Sequence, residues 1–203
     1  MMEIDVSGDR IRLDKELNDL DRLVLDFVRI LDRNSIKYAI VSAYVSILFG
    51  RSRSSEDVDI IVEEMPEARF LALWEEASKK KFDCLVPDNP ESAYRNYLAA
   101  GAPLRFARKG EFVPNVEIKF PAVREIDSWV LDKSRQVLLN GKTIRISPIE
   151  LQIAYKLFLS TDKDIEEDAR HLYKLFKEKL DKDMLQGFLK KLDKQGGFNK
   201  YLA

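Results

Sequence analysis

The chain has 203 residues, of which 45% are hydrophobic, and this is long enough for one substantial core or two small ones. Its 34 Lys and Arg nearly balance its 35 Asp and Glu, which excludes the global basic field of an obligate nucleic-acid binder. A single cysteine excludes a disulfide framework and a cysteine-based metal site. No apolar run approaches the roughly 18 residues of a membrane span, and residues 1–10 lack a signal peptide's apolar core. We therefore expect a cytoplasmic protein with no membrane partner.

The N-terminal part of the chain is predicted to begin with a helix. Apolar residues recur at three- to four-residue spacing from Leu13 to Leu31, which is typical of an amphipathic helix. Asn34 ends this helix. A strand at Ile36–Val41 and a short helix at Ala43–Phe49 are predicted to follow.

The next strand, Asp57–Glu63, carries two carboxylates in an apolar setting. Four of its seven residues are β-branched, which favours a strand. Side chains alternate along a strand, so Asp57 and Asp59 share one face and lie about 6.5 Å apart along it. Two like charges held this close disfavour each other's ionisation unless a cation sits between them. A pair of Mg²⁺ ions that serves phosphoryl-type transfer is one known use of such an arrangement.

An ordinary solvated strand end is the alternative interpretation of these carboxylates. Asp-x-Asp also occurs at Asp162–Asp164 and Asp181–Asp183, both in polar stretches that contain lysine. The pattern alone therefore does not identify a site. The distinguishing feature of the first pair is its context, an apolar strand that follows a Gly- and Ser-containing loop with Arg51 and Arg53.

Helices and strands alternate through the middle of the chain. One helix is predicted at Pro66–Lys81, where proline suits the first turn, and a second begins at Asn89-Pro90 and runs to about residue 100. Strands are predicted at Phe82–Val86, Leu104–Arg108 and Val116–Phe120, with the second of these at an edge of the sheet.

The C-terminal part changes from strands to helices near residue 146. After a helix at Pro121–Lys133, Asn140-Gly141 predicts a hairpin over Arg135–Ile146. A capping box at Ser147–Glu150 begins the first of three helices, and the other two are predicted over 164–177 and 183–194. We expect two domains, residues 1–146 and residues 147–203.

The segment from Ser42 to Asp59 resembles the signature of the nucleotidyltransferase superfamily with the DNA polymerase β-type palm. That signature is a strand, a Gly-Gly or Gly-Ser pair that opens a helix, and an Asp-x-Asp on a following hydrophobic strand. The segment is most similar to the minimal, abortive-infection-type (AbiEii-like) branch. The matching positions are Ser42-Ala43, Gly50, Arg53, Ser55, Asp57 and Asp59. Ser42-Ala43 stand where the family has Gly-Gly, Phe49 replaces a His, and Ser55 replaces a Thr.

The resemblance implies an α+β fold, in which a palm with a mixed sheet and flanking helices precedes a small helical domain. It also implies an enzyme that uses a nucleoside triphosphate as substrate and Mg²⁺ or Mn²⁺ as cofactor. Its catalytic residues and metal ligands would be Asp57, Asp59 and Glu117. Its triphosphate-binding residues would be Ser42, Ala43, Arg53, Ser55 and Lys156.

Alternatives stay open for several of these residues. Glu117 shares a strand face with Lys119, and the two could form a surface pair of little consequence. Arg105 and Arg108 could line the cleft or act as charges on an edge strand.

The helical part resembles the same branch more loosely. Lys156-Leu157, Asp164 and Asp168 occur in the family's order, and Lys156 would hold phosphate as a point charge. The alternative is that both aspartates lie on solvated helix faces. His171, the single histidine, is expected to have a packing role.

The resulting functional hypothesis is a metal-dependent nucleotidyltransferase that modifies a hydroxyl of an RNA or protein acceptor. A toxin–antitoxin or defence role with a small partner protein is one version of this hypothesis. The alternative is a catalytically degenerate protein of the same fold that serves as a binding or regulatory module.

Overall fold

The protein forms a mixed sheet flanked by helices, as predicted. The computed structural model describes residues 3–7, 10–121, 125–159 and 163–192. Within these ranges the sheet has nine strands in the order β1-β2-β8-β9-β3-β4-β7-β6-β5. Three neighbouring pairs, β2·β8, β3·β9 and β4·β7, are parallel and the others are antiparallel. The strands are β1 Glu3–Ser7, β2 Arg10–Asp14, β3 Tyr38–Ile40, β4 Asp57–Val62, β5 Phe82–Cys84, β6 Leu104–Arg108, β7 Asn115–Lys119, β8 Arg135–Leu139 and β9 Lys142–Ile146.

Eight α-helices accompany the sheet in the described residues, and the last three follow the final strand. They are α1 Asp19–Arg33, α2 Ala43–Leu48, α3 Glu67–Lys79, α4 Pro90–Asn96, α5 Glu125–Asp132, α6 Ile149–Phe158, α7 Lys163–Phe176 and α8 Lys182–Lys191. Residues 122–124 of the predicted helix Pro121–Lys133 and the predicted helix end at 193–194 lie outside the described residues.

The predicted start of the first helix is wrong. Leu13 belongs to β2, and α1 begins only after Asn18, which forms a capping box with Asp21. In β2, Ile11 and Leu13 are fully buried while the arginines between and before them are exposed. This two-residue alternation is the signal of a strand. The helical spacing of Leu13 and Leu17 was therefore coincidental, whereas the pattern from Leu20 to Leu31 lies within α1.

The predicted edge position of Leu104–Arg108 is also wrong. This strand, β6, lies between β7 and β5, and the three-residue β5 forms the edge. Position within a sheet depends on pairing between distant segments, which local residue patterns do not specify.

The predicted capping box at Ser147–Glu150 does not form. No side chain caps α6, and the Glu150 carboxylate is fully buried. Its Oε1 accepts hydrogen bonds from Arg135 and from the backbone N–H of Asp181, each at 3.0 Å. Glu150 thus connects β8 to the start of α8 because these tertiary donors compete with the local cap.

The C-terminal helices share the hydrophobic core of the sheet. Phe49, at the end of α2, packs edge-on against Phe176 of α7 with ring centroids 4.8 Å apart. Trp129 of α5 packs against Phe188 of α8 at 5.1 Å. Buried apolar residues continue from the strands into α6, α7 and α8. The division into domains at residue 146 stays a prediction.

Candidate active site

The three predicted carboxylates lie together on one face of the sheet. Strands β4 and β7 are adjacent and parallel, and Asp59 is in register with Glu117. Val58 and Ile60 are fully buried, whereas Asp57 and Asp59 are only partly buried on the opposite face of β4. Glu117 likewise alternates with buried Val116 and Ile118, which lie on the core side. Neighbouring strands are about 4.8 Å apart, so these carboxylates form one compact anionic group.

The environment of Asp59 disfavours its ionised form. Burial is the largest cause of its raised pKa, and the charges of Asp57 and Glu117 raise the pKa further. A hydrogen bond from Ser42 and the charge of Lys119 lower the pKa in part. A bound cation would remove the penalty that the neighbouring carboxylates impose.

Protein side chains already hold the other two carboxylates. Arg105 Nε donates to Glu117 Oε2 at 2.9 Å from the neighbouring strand β6. The Ser55 hydroxyl lies 3.0 Å from the backbone oxygen of Asp57 and 3.3 Å from its Oδ1. Arg105 therefore lies on the carboxylate face. Arg108 instead pairs with Asp26 at 2.6 Å and stacks over Phe82.

Ser42 has a backbone conformation that side chains rarely adopt. Its φ is +66° and its ψ is −140°, in a region that favours glycine, directly before α2. Its hydroxyl lowers the pKa of Asp59, and it does not cap α2. Ala43 is the first residue of α2. The substitution that distinguishes this chain from the Gly-Gly pattern is thus a strained residue in direct contact with the carboxylate group.

Asp168 connects the helical part to the loop that precedes β4. This carboxylate on α7 is fully buried. Its Oδ2 accepts hydrogen bonds from Arg53 Nη1 at 2.9 Å and from Lys156 Nζ at 3.0 Å. Arg51 Nε lies 3.4 Å from Oδ1, and Arg51 Nη2 donates to Glu167 at 2.7 Å. We call Arg51, Arg53, Lys156 and Asp168 the cation cluster.

The structure thus separates the two aspartates that the sequence left undecided. The Asp164 side chain is 63% exposed and 3.4 Å from Arg51, as expected for a solvated helix face. Asp168 is buried among cations, so the solvated-face interpretation does not apply to it. Sequence analysis missed the role of Arg51 and the contact of Asp168 with Arg53. The latter two are 115 residues apart, and no local pattern connects them.

Lys156 lies within electrostatic reach of the carboxylates. Burial is the largest influence on this amine and lowers its pKa, while the Asp168 carboxylate opposes that change. The Arg53 charge lowers the pKa further, and the Asp59 charge raises it. Lys156 and Arg53 thus share the Asp168 carboxylate, and the Asp59 charge also acts on Lys156.

His171 connects α7 to the end of α2. Its Nε2 lies 2.9 Å from the backbone oxygen of Phe49, where α7 packs against the end of α2. This contact agrees with the packing role expected from the sequence.

The carboxylate group is chemically suited to a hard divalent cation. Carboxylate oxygens are the ligands that Mg²⁺ and Mn²⁺ prefer. In the described ranges, no three His, Cys, Asp or Glu side chains form a ready-made metal cage. Mg²⁺ commonly binds through one or two carboxylates, with substrate phosphates and water as its remaining ligands. The residues present fit that kind of site.

Comparison with known structures identifies the fold. A crystal structure of an antigenic nucleotidyltransferase-like protein from Paracoccidioides brasiliensis is 17% identical, with a TM-score of 0.54, and the match covers 90% of this chain and 91% of that one. The solution structure of the antibiotic-resistance factor ANT(2'')-Ia is 10% identical, with a TM-score of 0.50, and covers 90% of this chain and 94% of that one. The protein therefore has the nucleotidyltransferase fold.

Sequence comparisons found no match. No protein-family model and no curated protein sequence match this chain. The proposed AbiEii-like branch stays a prediction. None of the helices in the described part of the chain has the length and hydropathy needed to cross a membrane.

Proposed function

We propose that the protein is a metal-dependent nucleotidyltransferase that transfers a nucleotidyl group from a nucleoside triphosphate to a hydroxyl of an RNA or protein acceptor. The observation that carries the proposal is the register of β4 and β7, which sets Asp59 beside Glu117 on the face that also carries Asp57. The nucleotidyltransferase fold supports the same reaction class.

The site residues divide into a set that would bind the metal ions and a set that would bind the triphosphate. Asp57, Asp59 and Glu117 would hold one or two Mg²⁺ or Mn²⁺ ions, which neutralise phosphate charge when bound. Arg53 and Lys156 would bind the triphosphate, together with Ser42, Ala43 and Ser55 before β4. Asp168 holds both cations, and the Asp59 charge acts on Lys156.

The bond changes balance without any further reactant. The acceptor hydroxyl oxygen forms a bond to the α-phosphorus, the bond from that phosphorus to the oxygen that bridges the α- and β-phosphates breaks, and pyrophosphate leaves with that oxygen. The hydroxyl proton passes to a carboxylate, for which Glu117 is the proposed acceptor once Arg105 releases it. Positioning and charge neutralisation would supply most of the rate enhancement.

A catalytically degenerate binding module is the second candidate function. Ser42 and Ala43 each place a Cβ where the family has glycine, and this narrows the approach of phosphate to the backbone amides. A toxin–antitoxin or defence role, with a small partner protein, would be a particular use of the active enzyme.

Calorimetric titration with each nucleoside triphosphate, with Mg²⁺ and with EDTA, tests the enzyme proposal. We expect metal-dependent binding that Asp57→Asn/Asp59→Asn weakens at least about 100-fold, because even outer-shell partners of a metal contribute 10- to 100-fold. The matched control is Asp181→Asn/Asp183→Asn, which makes the same charge change at another Asp-x-Asp. Asp181 caps α8, and asparagine caps a helix equally well.

Two outcomes would contradict the enzyme proposal. Folded wild-type protein that binds no triphosphate would favour the degenerate module. Equal loss of affinity in the double variant and in its control would show a general charge effect rather than a metal site.

A further inference from the structure

Asn115 lies beside Asp57 on the carboxylate face. It is the first residue of β7 and is in register with Asp57, as Glu117 is with Asp59. Side chains two residues apart on a strand share a face, so Asn115 and Glu117 point the same way. Asn115 is only 6% exposed. The four side chains therefore form a two-by-two block on adjacent strands.

The orientation of the Asn115 carboxamide is determined by its partners. Its Nδ2 donates to the backbone oxygens of Phe112 at 3.3 Å and Glu56 at 3.4 Å. Both partners are carbonyl oxygens, which only accept hydrogen bonds. Rotating the amide by half a turn would set Oδ1 against two other oxygens, so Nδ2 is the atom that faces these carbonyls.

The Asn115 Oδ1 atom is consequently left without a donor. It is buried, and no hydrogen-bond donor among the residues that the structure describes reaches it. A buried acceptor without a partner is costly, and such groups are rare in folded proteins. The nearest side chain in register is the Asp57 carboxylate, which has no proton to donate when ionised.

We propose that Asn115 is a further ligand of the cation held by Asp57 and Asp59, through its Oδ1 atom. This inference rests on the metal dependence in the proposed function. An amide carbonyl oxygen is a hard ligand of the kind that Mg²⁺ and Mn²⁺ accept beside carboxylates. A cation between Asp57 and Asn115 would give Asn115 Oδ1 the partner that it lacks and would neutralise the charge of the Asp57 carboxylate.

The same residue also anchors the loop before β7 to the segment before β4. Its Nδ2 bonds and its backbone N–H bond to the Glu56 oxygen at 2.9 Å hold the two strand starts together. The hydrogen bonds of Nδ2 thus fix the position of Oδ1, the proposed cation ligand. A test must therefore separate lost metal affinity from lost stability.

Mn²⁺ titration followed by electron paramagnetic resonance tests the inference without triphosphate and without an activity assay. We expect Asn115→Ala to weaken Mn²⁺ binding about 10- to 100-fold. Asn115→Asp keeps an oxygen at the position and adds charge, so it should bind Mn²⁺ at least as tightly as the wild type. The matched control is Asn34→Ala, which removes a similar bond from Nδ2 to the Ile30 oxygen at the end of α1. It should leave Mn²⁺ affinity unchanged.

The outcomes separate this inference from the proposed function. If the wild type binds Mn²⁺ and the affinity of Asn115→Ala lies within twofold of it, the ligand role is overturned and the metal site stands. If Asn115→Ala does not fold, weaker Mn²⁺ binding by folded Asn115→Asp than by the wild type would overturn it instead. Absence of Mn²⁺ binding by the wild type, both alone and with a nucleoside triphosphate present, would overturn both the ligand role and metal dependence.

Discussion

At the scale of single residues, Ser42 combines backbone strain with contact to the candidate active site. A non-glycine residue at its φ and ψ costs of order 1–3 kcal/mol and persists only where its surroundings enforce it. Its hydroxyl lowers the pKa of Asp59, which burial and neighbouring charges raise. The hydroxyl therefore stabilises the ionised form of Asp59.

Comparison of Ser42→Gly with Ser42→Ala isolates the strain. Both changes remove the hydroxyl, but only alanine keeps a Cβ at positive φ. We expect the free energy of unfolding of Ser42→Gly, measured by urea denaturation, to be about 1 kcal/mol higher than that of Ser42→Ala, so that the glycine variant is the more stable. Equal stabilities would show that this backbone position is not strained.

At the scale of elements, the cation cluster joins α6 and α7 to the loop before β4. Three cations surround one buried carboxylate, and two of them are the proposed triphosphate ligands Arg53 and Lys156. Asp168 thus occupies the place of an anionic ligand for these two side chains. We infer that a bound triphosphate would compete with Asp168 for these two side chains.

Asp168→Asn should therefore destabilise the protein strongly. Removing one partner of a buried ion pair leaves uncompensated charge, which costs about 3–5 kcal/mol, so we expect a loss of about 3 kcal/mol in urea denaturation. The matched control is Asp164→Asn on the same helix, where the exposed side chain contributes about 0–1 kcal/mol. A loss at Asp168 no larger than at Asp164 would contradict a stabilising role for the cluster.

At the scale of the whole molecule, one hydrophobic core extends through the sheet and the C-terminal helices. The chain's two tryptophans sample both regions. Trp74 packs against Phe106 in the sheet, and Trp129 packs against Phe188 of α8. They offer a direct test of the predicted division at residue 146.

We expect Trp74→Phe and Trp129→Phe to show unfolding transitions at the same urea concentration when the remaining tryptophan is monitored by fluorescence. A shared core unfolds as one cooperative unit, so separate probes report one transition. Far-ultraviolet circular dichroism on each variant controls for any change in stability from the substitution. Two separated transitions would instead support independent domains at 1–146 and 147–203.

Local patterns were sufficient for much of this protein. The β-branched run at Asp57–Val62 and the Asn140-Gly141 turn each specify backbone geometry within a few residues. Alternation along β4 and β7 likewise determined that Asp57 and Asp59 share a face and that Glu117 lies opposite the core side of its strand.

Only the tertiary structure decided which of these elements meet. Parallel pairing of β4 with β7 places Asp59 beside Glu117 and Asp57 beside Asn115. Folding of α6 and α7 onto the loop before β4 buries Asp168 among Arg51, Arg53 and Lys156. Periodicity records which side of an element is apolar, but pairing between distant segments depends on the packing of the whole core. The sequence by itself therefore determined the candidate carboxylates, and the fold decided their neighbours.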